Sequence, residues 1–240
     1  MNGGREFTIT HWSVVLAAGH NSSPAALEAL EQLCQTNWYP IYAYVRRQGY
    51  SREDAQDLTQ EFFARLLAKD YLARADPGKG KFRSFLLTGI KNLLCDEWNK
   101  AHRLKRGGGR QVVSFDEQWA ENRYRLEPAD AMTPERLFER SWVLTLLERA
   151  AQRLRQEYIN LDQAELYEQL TEFRLDGPGQ PSYTEAAARL GLSPSAVKSA
   201  IHRLRQRHHE LVREEIAQTV TNPAELAEEI RYLLRVVGNP

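Results

Sequence analysis

The stretch from Ser182 to Leu211, SYTEAAARLGLSPSAVKSAIHRLRQRHHEL, leaves a chain few ways to fold. Ser182 can cap a helix, and Glu185 three residues on completes a capping box. Leu190 ends that helix, and Gly191 is the natural residue to leave it. Ser193 is a second N-cap, followed by Pro194 at the first helical position. Val197, Ile201 and Leu204 then recur at helical spacing and mark a buried face. At about 100° per residue, Ser195, Ser199, His202 and Gln206 fall opposite that face, with Lys198, Arg203 and Arg205 on its flanks. Two short helices around a tight turn, with an outward face of hydrogen-bonding and cationic side chains, are the form of a helix-turn-helix. Ser, Gln and Arg can read base edges, while Lys and Arg neutralise phosphates. The plainer alternative is a helical hairpin with a solvated basic face.

Charge distribution extends the argument beyond this segment. The 240 residues hold 32 Lys+Arg and 32 Asp+Glu, so a uniformly basic nucleic-acid binder is excluded. The charges are nonetheless segregated. Lys79 to Arg110 carries nine cations against two acids, a net +7; Gln111 to Glu135 carries two against six, a net −4; Arg189 to Arg213 carries six against one, a net +5. Two basic blocks separated by an acidic one point to two nucleic-acid contacts and a linker with another task. Cys34 and Cys95 form no paired motif and are expected to be small buried hydrophobes in a reducing compartment. No apolar run approaches the ~18 residues of a membrane span, and there is no basic-then-apolar leader, so a cytoplasmic, membrane-free protein is expected.

Helical periodicity runs through the rest. The patch FTITHWSVVLAA has no assigned job and could form a strand or a helical turn. Asn21 to Pro24 opens a helix with Leu27, Leu30, Leu33 and Cys34 on one stripe, and Pro40 then sets a new start or a kink before Gly49. Ser51 to Asp54 caps a helix to about Lys69, whose inner face is Ala55, Leu58, Phe62 and Leu66. Its outer face, Glu53, Asp57, Gln60 and Glu61, reads as a solvated stripe or as a docking surface for a basic partner. After the turn at Asp76-Pro77-Gly78, a helix with Phe82, Phe85, Leu86, Ile90, Leu93, Leu94 and Trp98 inward offers Arg83, Thr88, Lys91, Asn92, Asn99, Lys100 and Arg103 outward. Cations interleaved with amides suit a phosphate backbone and unstacked bases. Gln111 to Thr133 reads as an irregular linker. Thr133-Pro134 opens a helix with Leu137, Phe138, Trp142, Leu146, Ala150 and Leu154 inward, and Leu161 to Phe173 forms another. Asn222-Pro223 caps a last amphipathic helix with Leu226, Ile230, Leu233 and Val237, expected to pack on the second domain. The fold class expected is all-α, two helical domains joined by an irregular linker.

Two blocks resemble one family in the right order. SREDAQDLTQEFFARLL followed by FRSFLLTGIKNLLCDEWNKAHR is similar to region 2 of the extracytoplasmic-function (ECF) sigma factors, with the Asp-x-x-Gln-Glu-x-Phe core at Asp57, Gln60, Glu61 and Phe63. SYTEAAARLGLSPSAVKSAIHRLRQR is similar to their region 4, with Ala196-Val197-Lys198-Ser199 at the start of the recognition helix. The resemblance implies a non-catalytic specificity subunit of bacterial core RNA polymerase that directs promoter recognition, duplex melting and transcription initiation. It implies that Asp57, Gln60 and Glu61 dock on the β′ clamp. Lys79, Lys81, Arg83, Lys91, Asn92, Asn99, Lys100 and Arg103, with the loop Tyr71 to Lys81, would meet the −10 element and capture a flipped base. Ser195, Lys198, Ser199, His202, Arg203 and Gln206 would read the −35 element, with region 4 touching the β flap. An anti-sigma protein is a further candidate partner; no cofactor and no metal are implied.

On this reading the domains are an extension over 1–20, region 2 over 21–108, an acidic linker over 109–133, region 4 over 134–220 and a helical extension over 221–240. The chain departs from the family in three ways: Ala200 where Arg often follows the Lys-Ser pair, a longer Gly- and Pro-rich loop before the helix-turn-helix, and the two extensions. Two rivals remain. A stand-alone helix-turn-helix regulator explains Ser182 to Leu211 but not the first basic block. A carboxylate-metal nuclease using Glu53, Asp57 and Glu61 would need convergent ligands, and no His-x-x-His, Glu-x-x-His or Gly-rich phosphate loop is present.

Overall fold

A computed structural model describes residues 11–20, 23–68, 76, 78, 80–101, 117–127, 132–173, 182–220 and 222–238. All regular structure among them is helical. In chain order the helices are α1 (His11–His20), α2 (Pro24–Arg47), α3 (Arg52–Leu67), α4 (Phe82–Ala101), α5 (Glu117–Arg125), α6 (Pro134–Asn160), α7 (Ala164–Thr171), α8 (Tyr183–Leu190), α9 (Pro194–Ala217) and α10 (Leu226–Gly238), the last preceded by a 3₁₀ turn at Pro223–Glu225. The chain forms two compact units, Met1–Thr145 with Ala217–Pro240, and Leu146–Ile216. The first boundary therefore falls inside α6, the helix expected to open the second domain.

The first unit is built around α2, against which α1, α3, α4 and α5 all pack. Residues 37–45 of α2 are buried on every side, as a helix at the centre of a bundle must be. Pro40 lies inside this one helix, so α2 makes no new start there. Proline inside a helix costs about 3 kcal/mol in a lost hydrogen bond and a clash. Burial of Trp38, Ile41, Tyr42 and Val45, each worth roughly 1.5–3 kcal/mol, offsets it. Trp38 stacks on Tyr42 with ring centroids 5.0 Å apart. Phe62 and Phe63 of α3, Phe82 and Ile90 of α4, and Phe138 and Trp142 of α6 complete the core. Ser51 caps α3 as expected, its hydroxyl oxygen accepting from the Asp54 amide at 3.0 Å.

In the second unit, Ala150 and Leu154 of α6 and Tyr167 and Leu170 of α7 pack with Ala186 of α8 and Val197 of α9 in one apolar cluster. The capping box forms as read: the Glu185 amide donates to the Ser182 hydroxyl at 3.1 Å, and the Ser182 amide donates to the Glu185 carboxylate at 2.7 Å. Gly191 leaves α8 with φ 63°, a left-handed conformation that glycine adopts at no steric cost. The Leu192 amide then donates back to the Ala187 carbonyl at 3.0 Å. At Ser193 the hydroxyl accepts from the Ala196 amide at 3.2 Å and starts α9.

Several expectations are corrected. Of the two forms open to the patch around His11, the described part takes the helical one, and Trp12 and Val15 are buried in the first unit, with Trp12 edge-on to Phe82 at 5.5 Å. Within the irregular linker, α5 is a helix docked on α2. Its contacts are polar and aromatic, which is why no apolar stripe announces it. Tyr42 donates to Glu121 at 2.5 Å, Arg46 bonds the same carboxylate at 3.1 and 3.2 Å, and the Arg123 guanidinium lies 4.2 Å from the Tyr39 ring centre. The last amphipathic helix, α10, belongs to the first unit rather than the second. Its Glu229 carboxylate is neutralised there by Lys81 and Arg83. Leu161 lies not in a helix but in a turn closed by Asp162, which has φ 57°. Trp98, expected inward on α4, is exposed because the apolar stripe runs past the bundle that covers its first three turns, and Cys95, expected buried, is exposed because it lies on the opposite side of the helix from that stripe.

Candidate nucleic-acid interface

The outer face of α9 assembles as predicted. Ser195, Lys198, Ser199, His202, Arg203 and Gln206 are all exposed on one side, while Val197, Ile201 and Leu204 are buried on the other. Three of the four remaining cations of this block serve the fold, and the fourth, Arg213, is exposed. Arg205 donates to the Phe173 carbonyl at 2.6 and 3.0 Å and so caps the chain end after α7. Arg207 pairs with Glu157 at 2.7 Å, and Arg189 with Glu172 at 2.8 Å. The hydrogen bond from Arg207 holds the Glu157 carboxyl below its ordinary range. Lys198 and Arg203 make no ion pair among the described residues, so they are the cations of this face available to a phosphate.

On α4 the predicted residues divide into two sites. Lys91 and Asn99 line a groove of about 650 Å³ with Tyr44, Gln48, Tyr50 and Trp98. Trp98 is 60% exposed there. Gln48 donates to the Tyr44 hydroxyl at 2.8 Å, which fixes that ring in the wall. Lys91 pairs with Glu135 of α6 at 2.8 Å, and the contact raises the Lys91 pKa while lowering that of Glu135. Asn92 is exposed one position on and does not line the groove. An exposed indole beside a cation and amides can stack an unpaired base and bond its edge. The turn at Asp76 also forms as read, with the Gly78 amide donating to the Asp76 side chain at 2.9 Å. Lys79, Arg103 and the Lys100 side chain lie outside the described residues.

The second site is at the start of α4. Arg83, read from sequence as an outward DNA contact, is only 7% exposed. Its guanidinium pairs with Glu229 and lies 4.4 Å from the centre of the Tyr232 ring, and Tyr232 donates to Glu139. Lys81 reaches the other oxygen of Glu229 at 2.5 Å. Burial pulls both cations below their ordinary pKa.

Asp57, Gln60 and Glu61 share one face of α3, at spacings of three and four residues that bring them together. Asp57 and Glu61 are exposed and Gln60 is partly so. Glu61 accepts from Arg65 at 2.8 Å, and Arg65 also reaches Glu97 of α4 at 3.3 Å. The stripe is therefore a held surface of net negative charge. Among the described residues no three His, Cys, Asp or Glu side chains converge as a metal site, and no described helix is long and apolar enough to cross a membrane.

Sequence reasoning missed Glu229, Tyr232, Glu135 and the walls Tyr44 and Tyr50. Only Glu229 carried a signal: an acid three residues after Leu226 and one before Ile230, inside the apolar stripe of α10, must either be exposed or meet a cation.

Residues 36–104, which span the later part of α2 together with α3 and α4, match the family described as Sigma-70 region 2. The match supports a sigma-factor family member with a role in RNA polymerase binding and promoter melting, a non-catalytic class. No curated protein and no solved structure matches the chain.

Proposed function

We propose that this chain is a sigma factor of the ECF type, which binds bacterial core RNA polymerase in the cytoplasm and directs it to promoters with two elements. The observation that carries the reading is a coincidence: the segment matching region 2 contains both the acidic face of α3 and the aromatic groove of α4. Asp57, Gln60 and Glu61 dock on the β′ clamp. Lys91, Asn92 and Asn99, with Lys79, Lys100 and Arg103, hold the −10 element, and the groove around Trp98 takes an unstacked base. Melting costs a few kcal/mol of stacking per base, which base capture and phosphate contacts can offset. Ser195, Lys198, Ser199, His202, Arg203 and Gln206 read the −35 element in the major groove, and the unit carrying them touches the β flap.

In vitro transcription with core polymerase and a pool of promoter fragments tests this. Transcripts with defined start sites are expected only when the chain is present. Asp57→Arg is expected to weaken polymerase association at least tenfold by placing like charge opposite a basic partner. Duplex binding without any polymerase binding would instead identify a stand-alone regulator.

A further inference from the structure

We propose that α10 is an autoinhibitory strap, in which the Glu229 carboxylate occupies a phosphate-binding patch formed by Lys81 and Arg83, so that α10 and DNA compete for the start of α4. The proposal deepens the sigma-factor reading and rests on it for the identity of the competing ligand. Glu229 is 1% exposed, and each of its oxygens meets one cation, Oε1 at Arg83 and Oε2 at Lys81. An arginine and a lysine converging on one oxyanion is also an arrangement that binds a phosphate. Glu225 and Glu228, just before Glu229, act on the Lys81 charge as well. The carboxylate that meets the patch at the start of the +7 block is that of Glu229.

The apolar hold on this helix is thin. Of the thirteen residues of α10, Glu229 and Leu233 are buried, whereas Leu234 is exposed. What fixes the helix is polar: the two ion pairs, the Tyr232 ring on Arg83 and the Tyr232 hydroxyl on Glu139. A contact held by charge pairing rather than by apolar area can be exchanged for another anion without exposing much hydrophobic surface. A phosphate that replaces Glu229 leaves Lys81 and Arg83 paired, while the released carboxylate regains its hydration, so the exchange avoids the cost of a buried unpaired ion.

The test uses the full chain with core polymerase and a fluorescently labelled forked DNA of mixed sequence, read by anisotropy. Glu229→Gln removes the charge and keeps the shape. It is expected to raise DNA affinity roughly tenfold and to leave polymerase affinity unchanged; Arg83→Gln added to it should reverse the gain. Equal DNA affinity of wild type and Glu229→Gln, including no binding by either, overturns the strap. Should the variant lose helicity, amide exchange on the wild-type chain decides. Exchange across 226–238 is expected to accelerate when DNA is added, and unchanged or slower exchange overturns the proposal. Co-sedimentation with polymerase reads the underlying assignment separately. A chain that never binds polymerase refutes the sigma-factor reading, and the exchange measurement with DNA alone then still judges the strap.

Discussion

Arg83 and Arg203 are both arginines on the flank of a helix in a basic block, and both read from sequence as DNA contacts. Arg83 is buried in the first unit, paired with Glu229 and covered by the Tyr232 ring. Arg203 is exposed on α9 in the second unit, with no acid paired to it among the described residues. The difference shows that a net charge counts cations but not their availability. Within Arg189 to Arg213 the same sorting operates on a smaller scale: Arg189, Arg205 and Arg207 hold the fold, and Lys198, Arg203 and Arg213 are left to solvent.

The sharpest way to break this comparison is Arg83→Ala. It leaves the Glu229 carboxylate buried with Lys81 as its remaining cation, and losing one partner of a buried pair costs about 3 kcal/mol. Urea denaturation should show that loss. A cost below about 0.5 kcal/mol would mean that Arg83 is in effect a surface residue and that the two arginines are alike.

Which cations would be sequestered was only partly legible in the sequence. Caps and turns were, because Ser182, Glu185, Gly191, Ser193 and Ser51 act on backbone groups within a few residues of themselves. The α9 face was legible for the same reason, since one helix's periodicity sets it. The partners of Arg83, Lys91 and Arg46 were not. They lie at Glu229, Glu135 and Glu121, separated by 146, 44 and 75 positions in the chain, and nothing local selects them. The α5 helix was missed because its docking on α2 uses Tyr39, Tyr42 and Arg46, polar-tipped side chains that leave no apolar period. Trp98 was misplaced because periodicity shows which face a residue is on but not where the covering elements stop.

Glu121 gives the next largest effect and sharpens the contrast with pH. Burial pushes its pKa up, but hydrogen bonds from Arg46 and Tyr42 outweigh that and hold the carboxyl below its ordinary value of 4.5. A depressed folded pKa contributes stability that is fully present above the unfolded value and is lost as pH falls through the folded one. Glu121→Gln should therefore cost about 2 kcal/mol at neutral pH. The gap between wild type and variant in urea midpoint should close on acidification below 4.5. A gap that stays constant with pH would mean that the carboxylate charge does not hold α5. On α9 the corresponding acid titration should leave the exposed face unchanged, because its cations are not paired to carboxylates.

Arg203→Ala carries the smallest stability effect and is the most specific test of the open face. An exposed arginine without an acid partner should change folding stability by no more than about 0.5 kcal/mol. Its loss should nonetheless weaken duplex binding roughly fivefold and reduce the slope of log affinity against log salt by about one, the signature of one phosphate contact. The effect should be nearly uniform across DNA sequences if Arg203 meets only the backbone, and confined to one position of the −35 element if it reaches a guanine edge. Gln206→Ala on the same face should leave the salt slope alone, because it removes no charge. A variant of Arg203 that loses stability while keeping its DNA affinity would place this residue in the same class as Arg83. The separation between structural and available cations would then fail in the unit where it is most clearly drawn.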